Sequence, residues 1–339
     1  MLHELKEIIQ QAFIKQLKGL KNVLVTVVAL EGSSYRKPGV RMLITSDGSY
    51  IGAVSGGCVE KEIIRRAQSV FKSKIAKIIT YDGRYRLGCE GILYILIEPF
   101  YIENHFLNTF LKALENRETI KIDSYFKKED ESMGNFGSIL TLNNSQQFIF
   151  SDTFNIRTAK TKNWFSQKLD PLFRLLIIGG EHDAVKLCKI ASNLGWQIEV
   201  ITAAKDSKNI EDFPGAHIVI GETPETIQFF NIEENTAIVL MNHSYVQDLK
   251  YLVQLSKYQP KYIGVLGAPN RREKLFNELF DFAPDTKEEF LDIIYTPAGL
   301  HIGAKTPEEI AVSIIAEILS TTREKEPFSL RQLKGKITT

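Results

Sequence analysis

The chain has 339 residues, of which 44% are hydrophobic and 24% charged, a composition that excludes a fibrous or disordered protein and suffices for two domains. Its 42 lysines and arginines balance 41 aspartates and glutamates, so the formal charge of +1 gives no bulk attraction to nucleic acid or to an anionic membrane.

Three cysteines without a CxxC pair argue against a disulfide framework and favour a reducing compartment. The N-terminal residues carry charges throughout, so they do not resemble a signal peptide, and no apolar run approaches the length of a bilayer. We therefore expect a soluble cytoplasmic protein.

Residues 1–100 predict a small α/β domain. Apolar residues recur at helical spacing from Leu2 to Leu17, and a β-branched run at Val23–Leu30 indicates a buried strand. The elements expected after it are strands at Arg41–Ile44 and Tyr50–Val54, a helix from Cys58, and strands at Ala76–Thr80 and Ile92–Ile97. Two loops of this domain, 31–39 and 81–91, are rich in Gly, Ser and Arg.

Residues 101–170 differ from the first domain in their sequence pattern, and we interpret them as an appendage and linker to that domain. A helix is expected at Phe106–Leu114. Alternating segments predict edge strands at Thr119–Ile122, Ser138–Leu142 and Phe148–Phe150, with a hairpin turn at 143–145.

Residues 171–325 alternate regularly between strands and helices. The expected strands are Leu175–Ile178, Ile198–Thr202, Ile218–Ile220, Ala237–Met241 and Tyr262–Leu266, and the expected helices are Ala184–Leu194, Tyr245–Leu255, Arg271–Phe280 and Glu308–Ser320. This alternation predicts a Rossmann-like, doubly wound parallel sheet with helices on both faces. Thr306, Pro307 and Glu309 form a capping box for the last helix, and residues 326–339 form a tail. The fold class is therefore α/β in both halves.

The loop after the first strand, GSSYRKPGVRM, has the residues of an oxyanion site. Ser33 and Ser34 offer hydroxyl donors, while Arg36, Lys37 and Arg41 supply cations suited to a phosphate. Gly39 belongs to a tight turn.

A second loop, SGGCVE, leads into a helix through Ser55, Gly56 and Gly57. The N–H groups of a helix start favour anions and lower the pKa of a thiol, so Cys58 is a candidate reactive thiol. Cys89, in RLGCEG, is a second cysteine between glycines. Cys188 lies on an apolar helix face and is expected in the core. Burial remains the alternative for Cys58 and Cys89.

The Rossmann-like half carries a strand-turn-helix with Gly179 and Gly180 at the turn. Glu181 stands where the second glycine of the dinucleotide fingerprint is expected, and its carboxylate repels a phosphate. Thr202 stands where an acidic residue contacts the ribose. Two interpretations stay open, a scaffold without a nucleotide and an NAD(P)-binding domain.

Three histidines, His182, His243 and His301, lie in loops beyond strand ends of this half. They define, with Gly179, Gly180 and Glu181, a candidate second-domain pocket at the carboxyl edge of the sheet. No tight ligand spacing is present, so we expect local hydrogen bonding and no metal site.

GSSYRKPGVRM, GAVSGGCVE and LGCEGILYILIEP together resemble the N-terminal domain of the xanthine dehydrogenase accessory protein family (XdhC/CoxI). The later motifs LLIIGGEHDA, MNHS, YIGVLGAPNRREKL and PAGLHIGAKTPEE resemble that family's C-terminal Rossmann domain, in the same order. The resemblance covers nearly the whole chain and is weakest across residues 100–170.

The resemblance implies a maturation factor that binds the molybdenum cofactor (molybdopterin), supports its sulfuration and inserts it into a xanthine dehydrogenase or related molybdenum hydroxylase. It implies a binding chaperone more than a catalyst, a homodimer, an apo-enzyme partner and a cysteine desulfurase as a further partner. Mapped by motif, the residues at or near the cofactor are Ser33, Ser34, Arg36, Gly39, Met42, Gly56, Gly57, Cys58, Glu60, Gly88 and Cys89.

Two other functions remain as alternatives. An NAD(P)-dependent oxidoreductase would use the Rossmann crevice with His182 as an acid or base, although Glu181 and Thr202 argue against it. A remnant without a cofactor would only bind a partner protein.

Overall fold

A computed structural model describes residues 1–34, 36–54, 58–82, 91–143, 145–159, 163–229, 232, 235–268 and 271–332, with the side chain of Cys58 excepted. The chain divides into two compact units, Met1–Pro171 and Leu172–Thr339. Each unit has its own hydrophobic core and is described by itself. Among the described residues, no helix has the length and apolar character needed to cross a membrane.

The first unit combines helices with two sheets among its described residues. Its helices are α1 (Leu2–Leu17), α2 (Cys58–Ser73), α3 (Asn104–Glu115) and α4 (Ile156–Ala159). Its strands are β1 (Asn22–Glu31), β2 (Arg41–Thr45), β3 (Tyr50–Gly52), β4 (Ala76–Asp82), β5 (Ile92–Phe100), β6 (Ile120–Phe126), β7 (Met133–Gly134), β8 (Gly137–Thr141), β9 (Gln147–Ile149) and β10 (Asn163–Leu169).

The larger sheet of this unit has the order β3-β2-β1-β5-β4-β7, and its neighbouring strands are antiparallel. Val23, Val25 and Val27 alternate onto one face, where they pack with Val59 and Ile63 of α2. The other face meets α1, as the hydrogen bond from Asn22 Nδ2 to the carbonyl of Ala12 shows at 2.8 Å. The sheet is therefore covered on both faces, which explains why β1 is an almost unbroken apolar run.

The smaller sheet has the order β10-β6-β8-β9 and is also antiparallel. Aromatic packing fixes α3 against it, since the rings of Phe106 and Phe148 stack with centroids 4.7 Å apart. Phe150 is fully buried beside Phe100, the last residue of β5. These contacts join the smaller sheet to the larger one within the first unit.

The second unit has helices α5 (His182–Ser192), α6 (Tyr245–Leu255), α7 (Arg272–Phe282), α8 (Glu288–Asp292) and α9 (Pro307–Thr322). Its strands are β11 (Arg174–Ile178), β12 (Gln197–Ala203), β13 (Ile218–Glu222), β14 (Thr236–Leu240), β15 (Tyr262–Val265) and β16 (Ile294–Tyr295). All of its strand pairs are parallel, in the order β13-β12-β11-β14-β15-β16. Counted within the unit this is the order 3-2-1-4-5-6 of a doubly wound Rossmann sheet, which confirms the predicted fold.

Two apolar clusters lie on opposite faces of this parallel sheet. Leu175 and Ile177 belong to one cluster, with α5 and α9, whereas Leu176 and Ile178 belong to the other, with α6 and α7. Helix α9 begins with the predicted capping box, in which Thr306 Oγ1 accepts from the N–H of Glu309 at 3.3 Å.

The largest departures from the predicted elements are in residues 120–170. Strand β6 extends to Phe126, beyond the predicted Ile122, and strand β10 was not predicted at all. The separate roles assigned to residues 1–100 and 101–170 stay predictions.

Candidate functional site

Three motif-bearing loops leave the larger sheet at the same end. Strands β1, β3 and β4 run in one direction, because each is related to the others through antiparallel neighbours. The segments that follow them are 32–40, 53–57 and 83–91, which carry the serine-arginine motif, the two glycines before Cys58, and Cys89. Strand order thus gathers motifs that are separated along the chain.

A glycine brings two of these loops into direct contact. A Cβ atom added at Gly91 would lie 2.6 Å from the carbonyl oxygen of Ser33 and 3.0 Å from that of Glu31. Only glycine permits this approach, so the end of the loop that carries Gly88 and Cys89 lies against the backbone of Ser33. Gly88 and Cys89 themselves lie outside the described residues.

The serine-arginine loop presents polar groups of the kind that an anion requires. Ser33 and Ser34 are half-buried, and Arg36 and Lys37 are exposed. The hydroxyl of Ser34 accepts a hydrogen bond from the N–H of Arg36 at 3.3 Å, which makes a local turn. The nearby carboxylate of Glu31 is paired with Lys128 at 3.0 Å, and this contact lowers the pKa of Glu31. Its negative charge is therefore offset at the loop end of the sheet.

Helix α2 begins at Cys58, as predicted, directly after the loop that follows β3. Its 16 residues give a helix dipole whose positive end faces this loop. Glu60 lies in that first turn and is 3% exposed. Ser55, Gly56 and Gly57 and the Cys58 side chain lie outside the described atoms.

Arg41 and Met42 are predicted site residues that lie inside the fold, as Glu60 does. Met42 is fully buried in the core cluster of the larger sheet. Arg41 is 7% exposed, and its Nη1 donates to the carbonyl of Gly39 at 2.9 Å and to Gln167 Oε1 at 2.6 Å. Burial lowers the pKa of Arg41 to about 10, so it stays cationic at neutral pH. Arg41 therefore supports the loop from inside the fold, Met42 belongs to the hydrophobic core, and the roles of both toward the cofactor stay predictions.

The residues that the structure describes fit the phosphate end of a molybdenum cofactor. At one end of a sheet they combine two serine hydroxyls, an exposed arginine and a helix start, and the charge of the neighbouring Glu31 is offset by a lysine. The close approach at Gly91 also packs the backbone of Ser33 and Glu31 against the end of the third loop. The fit concerns this end of the group, since Cys89 and the Cys58 thiol are outside the described part of the chain.

In the second unit, the switch point of the Rossmann sheet lies between β11 and β14. A Cβ atom at Gly179, whose φ is +150°, would lie 2.6 Å from the carbonyl of Met241 at the end of β14. The turn after β11 therefore passes directly beside the end of the neighbouring strand. Glu181 follows as the exposed N-cap of α5, and Gly180 packs near Thr202, with its Cβ position 3.5 Å from Cγ2.

The three predicted histidines are exposed and follow different strands. His182 begins α5 and His243 follows β14, which places both at the switch point. His301 lies beyond β16, in a loop that Ser313 holds by donating to the carbonyl of Leu300 at 2.6 Å. Among the residues with described side chains, no group of three or more His, Cys, Asp or Glu could hold a metal ion.

A buried carboxyl group at the switch point escaped the sequence analysis. Asp248 is 3% exposed in the first turn of α6 and accepts from Asn242 Nδ2 at 2.9 Å. Burial raises the pKa of Asp248 to about 6. The sequence could have indicated this group, because Asp248 is a charged residue on the face of α6 that also carries Leu249 and Leu252.

Cys188 is fully buried in the core of the second unit, as predicted. Burial raises the pKa of its thiol to about 11. Cys188 is therefore a core residue without a part in the site.

The geometry defines a class of protein in which an α/β unit with a polar loop cluster is followed by a Rossmann unit. The family described as XdhC and CoxI matches residues 16–82, and the XdhC Rossmann domain matches residues 175–318. A Bacillus subtilis protein named as a probable xanthine dehydrogenase subunit is 31% identical over 319 residues, covering 89% of this chain and 93% of its own length. The chain belongs to the XdhC and CoxI family.

Two further relatives extend the comparison. The Escherichia coli molybdenum cofactor insertion chaperone PaoD is 24% identical over 318 residues, which cover 92% of this chain and 87% of PaoD. A crystal structure described as a xanthine dehydrogenase from Bacillus halodurans superposes with a TM-score of 0.74 at 26% identity. That alignment covers 94% of this chain and 96% of the Bacillus halodurans chain.

Proposed function

We propose that this protein binds a molybdenum cofactor at the loop end of its first unit and inserts it into a molybdenum hydroxylase that lacks the cofactor. The observation that carries the proposal is the strand order, which gathers the serine-arginine loop, the helix start at Cys58 and the loop of Cys89 at one end of the larger sheet. A relative named as an insertion chaperone for this cofactor aligns with 92% of the chain.

The bound cofactor would bring a phosphate and a molybdenum centre that is sensitive to loss of sulfur. Ser33, Ser34 and Arg36 hold the phosphate in this proposal, with hydroxyl donors and a planar cation. The N–H groups at the start of α2 add a fixed positive dipole. The proposal assigns to the thiols of Cys58 and Cys89 the role of shielding the metal centre.

The proposal extends to partners and place of action. The chain works in the cytoplasm as a homodimer, receives sulfur for the cofactor from a cysteine desulfurase, and docks on the apo-enzyme that it loads. A balanced formal charge of +1 accords with a protein partner and not with nucleic acid or a membrane surface.

Binding is tested by purifying the protein without oxygen from a host that makes the cofactor, and by measuring the fluorescence of the oxidised pterin. We expect the pterin in the wild type and a loss of about tenfold in occupancy for Arg36→Ala, because one charged hydrogen-bonding group is removed. Arg157→Ala is the matched control, since Arg157 is exposed on α4 of the same unit.

A wild-type protein with no pterin would overturn the proposal. If it still captured a dehydrogenase, it would be a partner-binding protein that has lost its cofactor. Equal loss of pterin occupancy in Arg36→Ala and Arg157→Ala would mean that the serine-arginine loop is not part of the binding site.

The Rossmann crevice supports a second candidate, a nicotinamide nucleotide at the switch point. The strand order and the close approach of Gly179 to Met241 favour a ligand there. The exposed carboxylate of Glu181 at the start of α5 disfavours a pyrophosphate at that helix. We expect NADH and NADPH to leave the melting temperature unchanged. Stabilisation by either nucleotide would instead support the function of an oxidoreductase.

A further inference from the structure

Gln167 is a buried polar residue in the smaller sheet of the first unit. It lies on β10, where Phe165, Gln167 and Leu169 alternate inward, and it is 7% exposed. Strand β10 pairs with β6 over its whole length, so the position of Gln167 is set by the smaller sheet. A glutamine buried to this extent calls for a partner.

The partner belongs to the larger sheet. Gln167 Oε1 accepts from Arg41 Nη1 at 2.6 Å across 126 positions of sequence. The same nitrogen donates to the carbonyl oxygen of Gly39 at 2.9 Å. One guanidinium nitrogen therefore links the smaller sheet to the end of the serine-arginine loop.

Gly39 makes room for this amide. Its φ of +98° lies in the left-handed region that favours glycine, and an added Cβ would lie 2.3 Å from Gln167 Nε2. The side chain of Gln167 thus packs directly on the loop backbone. Nε2 itself has a weak contact with the sulfur of Met1, at 3.4 Å.

The same part of the loop is anchored to β1. The N–H of Gly39 donates to the carbonyl of Val27 at 2.8 Å, and the N–H of Val27 donates to the carbonyl of Val40 at 3.0 Å. The loop is therefore closed between β1, β2 and β10 a few residues after Ser34 and Arg36. Whatever holds Gly39 limits the positions that those two side chains reach.

Gln167 is also important to Arg41 itself. Among the described residues, Nε and Nη2 of Arg41 have no hydrogen-bond partner, and the hydrogen bonds of this guanidinium come from Nη1. Without the amide oxygen, the buried cation keeps a single acceptor, the carbonyl of Gly39. The charge of Glu98 also acts on Arg41, but a buried cation that has lost a hydrogen-bond acceptor pulls toward water and takes the loop end with it.

We propose that Gln167 is a positioning residue for the serine-arginine loop: through Arg41 and Gly39, the smaller sheet presets this loop to receive the phosphate of its ligand. The inference rests on the proposed function for the identity of that ligand. Preorganisation of a binding loop raises affinity, because less ordering is needed on binding. The smaller sheet thus contributes to the site through a residue that holds the loop.

The first test needs no cofactor. Hydrogen exchange of the full-length protein is compared for wild type, Gln167→Ala, Gln167→Glu and Gln147→Ala, the last an exposed glutamine on β9 of the same sheet. We expect exchange at Val27 and Gly39 to rise about tenfold in Gln167→Ala, since a charge-assisted hydrogen bond is lost. Gln167→Glu restores an acceptor for Arg41 and should exchange as the wild type does, as should Gln147→Ala.

The second measurement is cofactor affinity in the same variants. The proposal expects Gln167→Ala to weaken binding about tenfold with rescue by Gln167→Glu. Unchanged exchange at Val27 and Gly39 overturns it, as does exchange that rises equally throughout the first unit. Wild-type affinity in a Gln167→Ala protein with a loosened loop also overturns it. A wild type that binds no cofactor refutes the proposed function instead, whereas the exchange result still decides whether Gln167 holds the loop.

Discussion

Glu98 on β5 accepts two hydrogen bonds from Ser138 on β8, one from the backbone N–H at 2.8 Å and one from Oγ at 2.6 Å. Glu98 is completely buried, and the hydroxyl of Ser138 continues the network to Ser124 Oγ at 2.8 Å. This second polar link joins the two sheets of the first unit, as the pair of Arg41 and Gln167 does. Because it contains a buried carboxyl group, it makes the stability of the unit depend on pH.

Stability of the first unit is expected to fall as pH rises from about 4.5 to about 7. Burial raises the pKa of Glu98 from 4.5 to about 7, against the opposing effects of Ser138 and of the charge of Arg41. Between these values the folded state keeps a proton that the unfolded state has released. The stabilisation from Glu98 is fully present below the pKa of the unfolded state and is lost as pH rises through the pKa of the folded state. The free energy of unfolding therefore falls by about 3 kcal/mol between the two.

Urea unfolding of Glu98→Gln and wild type from pH 5 to pH 8 checks this expectation. The amide of Gln keeps both contacts to Ser138 without a titrating proton, so the variant should lack the decline. Glu115→Gln, an exposed site on α3, is the control. If the free energy of unfolding changed with pH in the same way for wild type and Glu98→Gln, Glu98 would be ionised in the folded protein across this range.

Glu98 also shows why the sequence analysis placed some strand ends too early. The predicted strand ends at Ile97, before a glutamate and a proline, which are both rare in central strands. In the structure β5 continues to Phe100, since Glu98 finds Ser138, 40 positions away, and Pro99 lies beyond the last residue paired with β4. Distant partners of this kind are not encoded in local patterns.

The Rossmann unit could be predicted from sequence because its strands are buried on both faces and alternate with helices. Its sheet order, 3-2-1-4-5-6, also follows general rules of right-handed crossover. In the first unit the site loops were recognisable from Gly, Ser, Arg and Cys, but their convergence depends on the order β3-β2-β1-β5-β4. Gln167 was missed because the inward positions of its strand hold only two apolar residues, Phe165 and Leu169.

Alkylation of the native protein at neutral pH should leave Cys188 unmodified. Its thiol is fully buried, with a pKa raised to about 11, so both access and thiolate formation are restricted. Mass spectrometry should show at most two labels on the native chain and three in denaturant, because the sequence has three cysteines. A label on Cys188 before unfolding would contradict the structure of the second unit. It would also mean that labelling does not distinguish accessible thiols from buried ones at Cys58 and Cys89.

Removing the hydroxyl of Tyr262 is expected to destabilise the second unit by about 2 kcal/mol. Tyr262 is fully buried and donates to Glu317 Oε2 at 2.6 Å, and the same oxygen accepts from the N–H of Gly299 at 2.8 Å. Tyr262→Phe keeps the ring, which stacks on Tyr295 with centroids 4.7 Å apart. Thermal unfolding measures the loss against Tyr101→Phe, whose ring is exposed in the first unit.

If the loop that carries His301 depends on Glu317, Tyr262→Phe should also speed hydrogen exchange at Gly299. Unchanged stability together with unchanged exchange at Gly299 would mean that water replaces the lost hydroxyl without cost.

Gly39 and Gln167 are expected to be energetically coupled. Gly39→Ala alone should destabilise the first unit by about 3 kcal/mol, because its Cβ would lie 2.3 Å from Gln167 Nε2 and its φ of +98° disfavours a side chain. Gln167→Ala alone should cost about 2 kcal/mol, since Arg41 loses its amide acceptor.

The double variant should lose less stability than the sum of the two, because the clash requires both side chains. Urea unfolding of the four proteins gives the coupling free energy, which we expect at about 1 kcal/mol or more in favour of the double variant. Gly48→Ala is the matched control: Gly48 also has a positive φ, +86°, but a Cβ there meets no atom within 4 Å. It should show the backbone effect alone, with no coupling to Gln167. Strict additivity of Gly39→Ala and Gln167→Ala would place the amide of Gln167 away from the loop and would remove the basis for its positioning role.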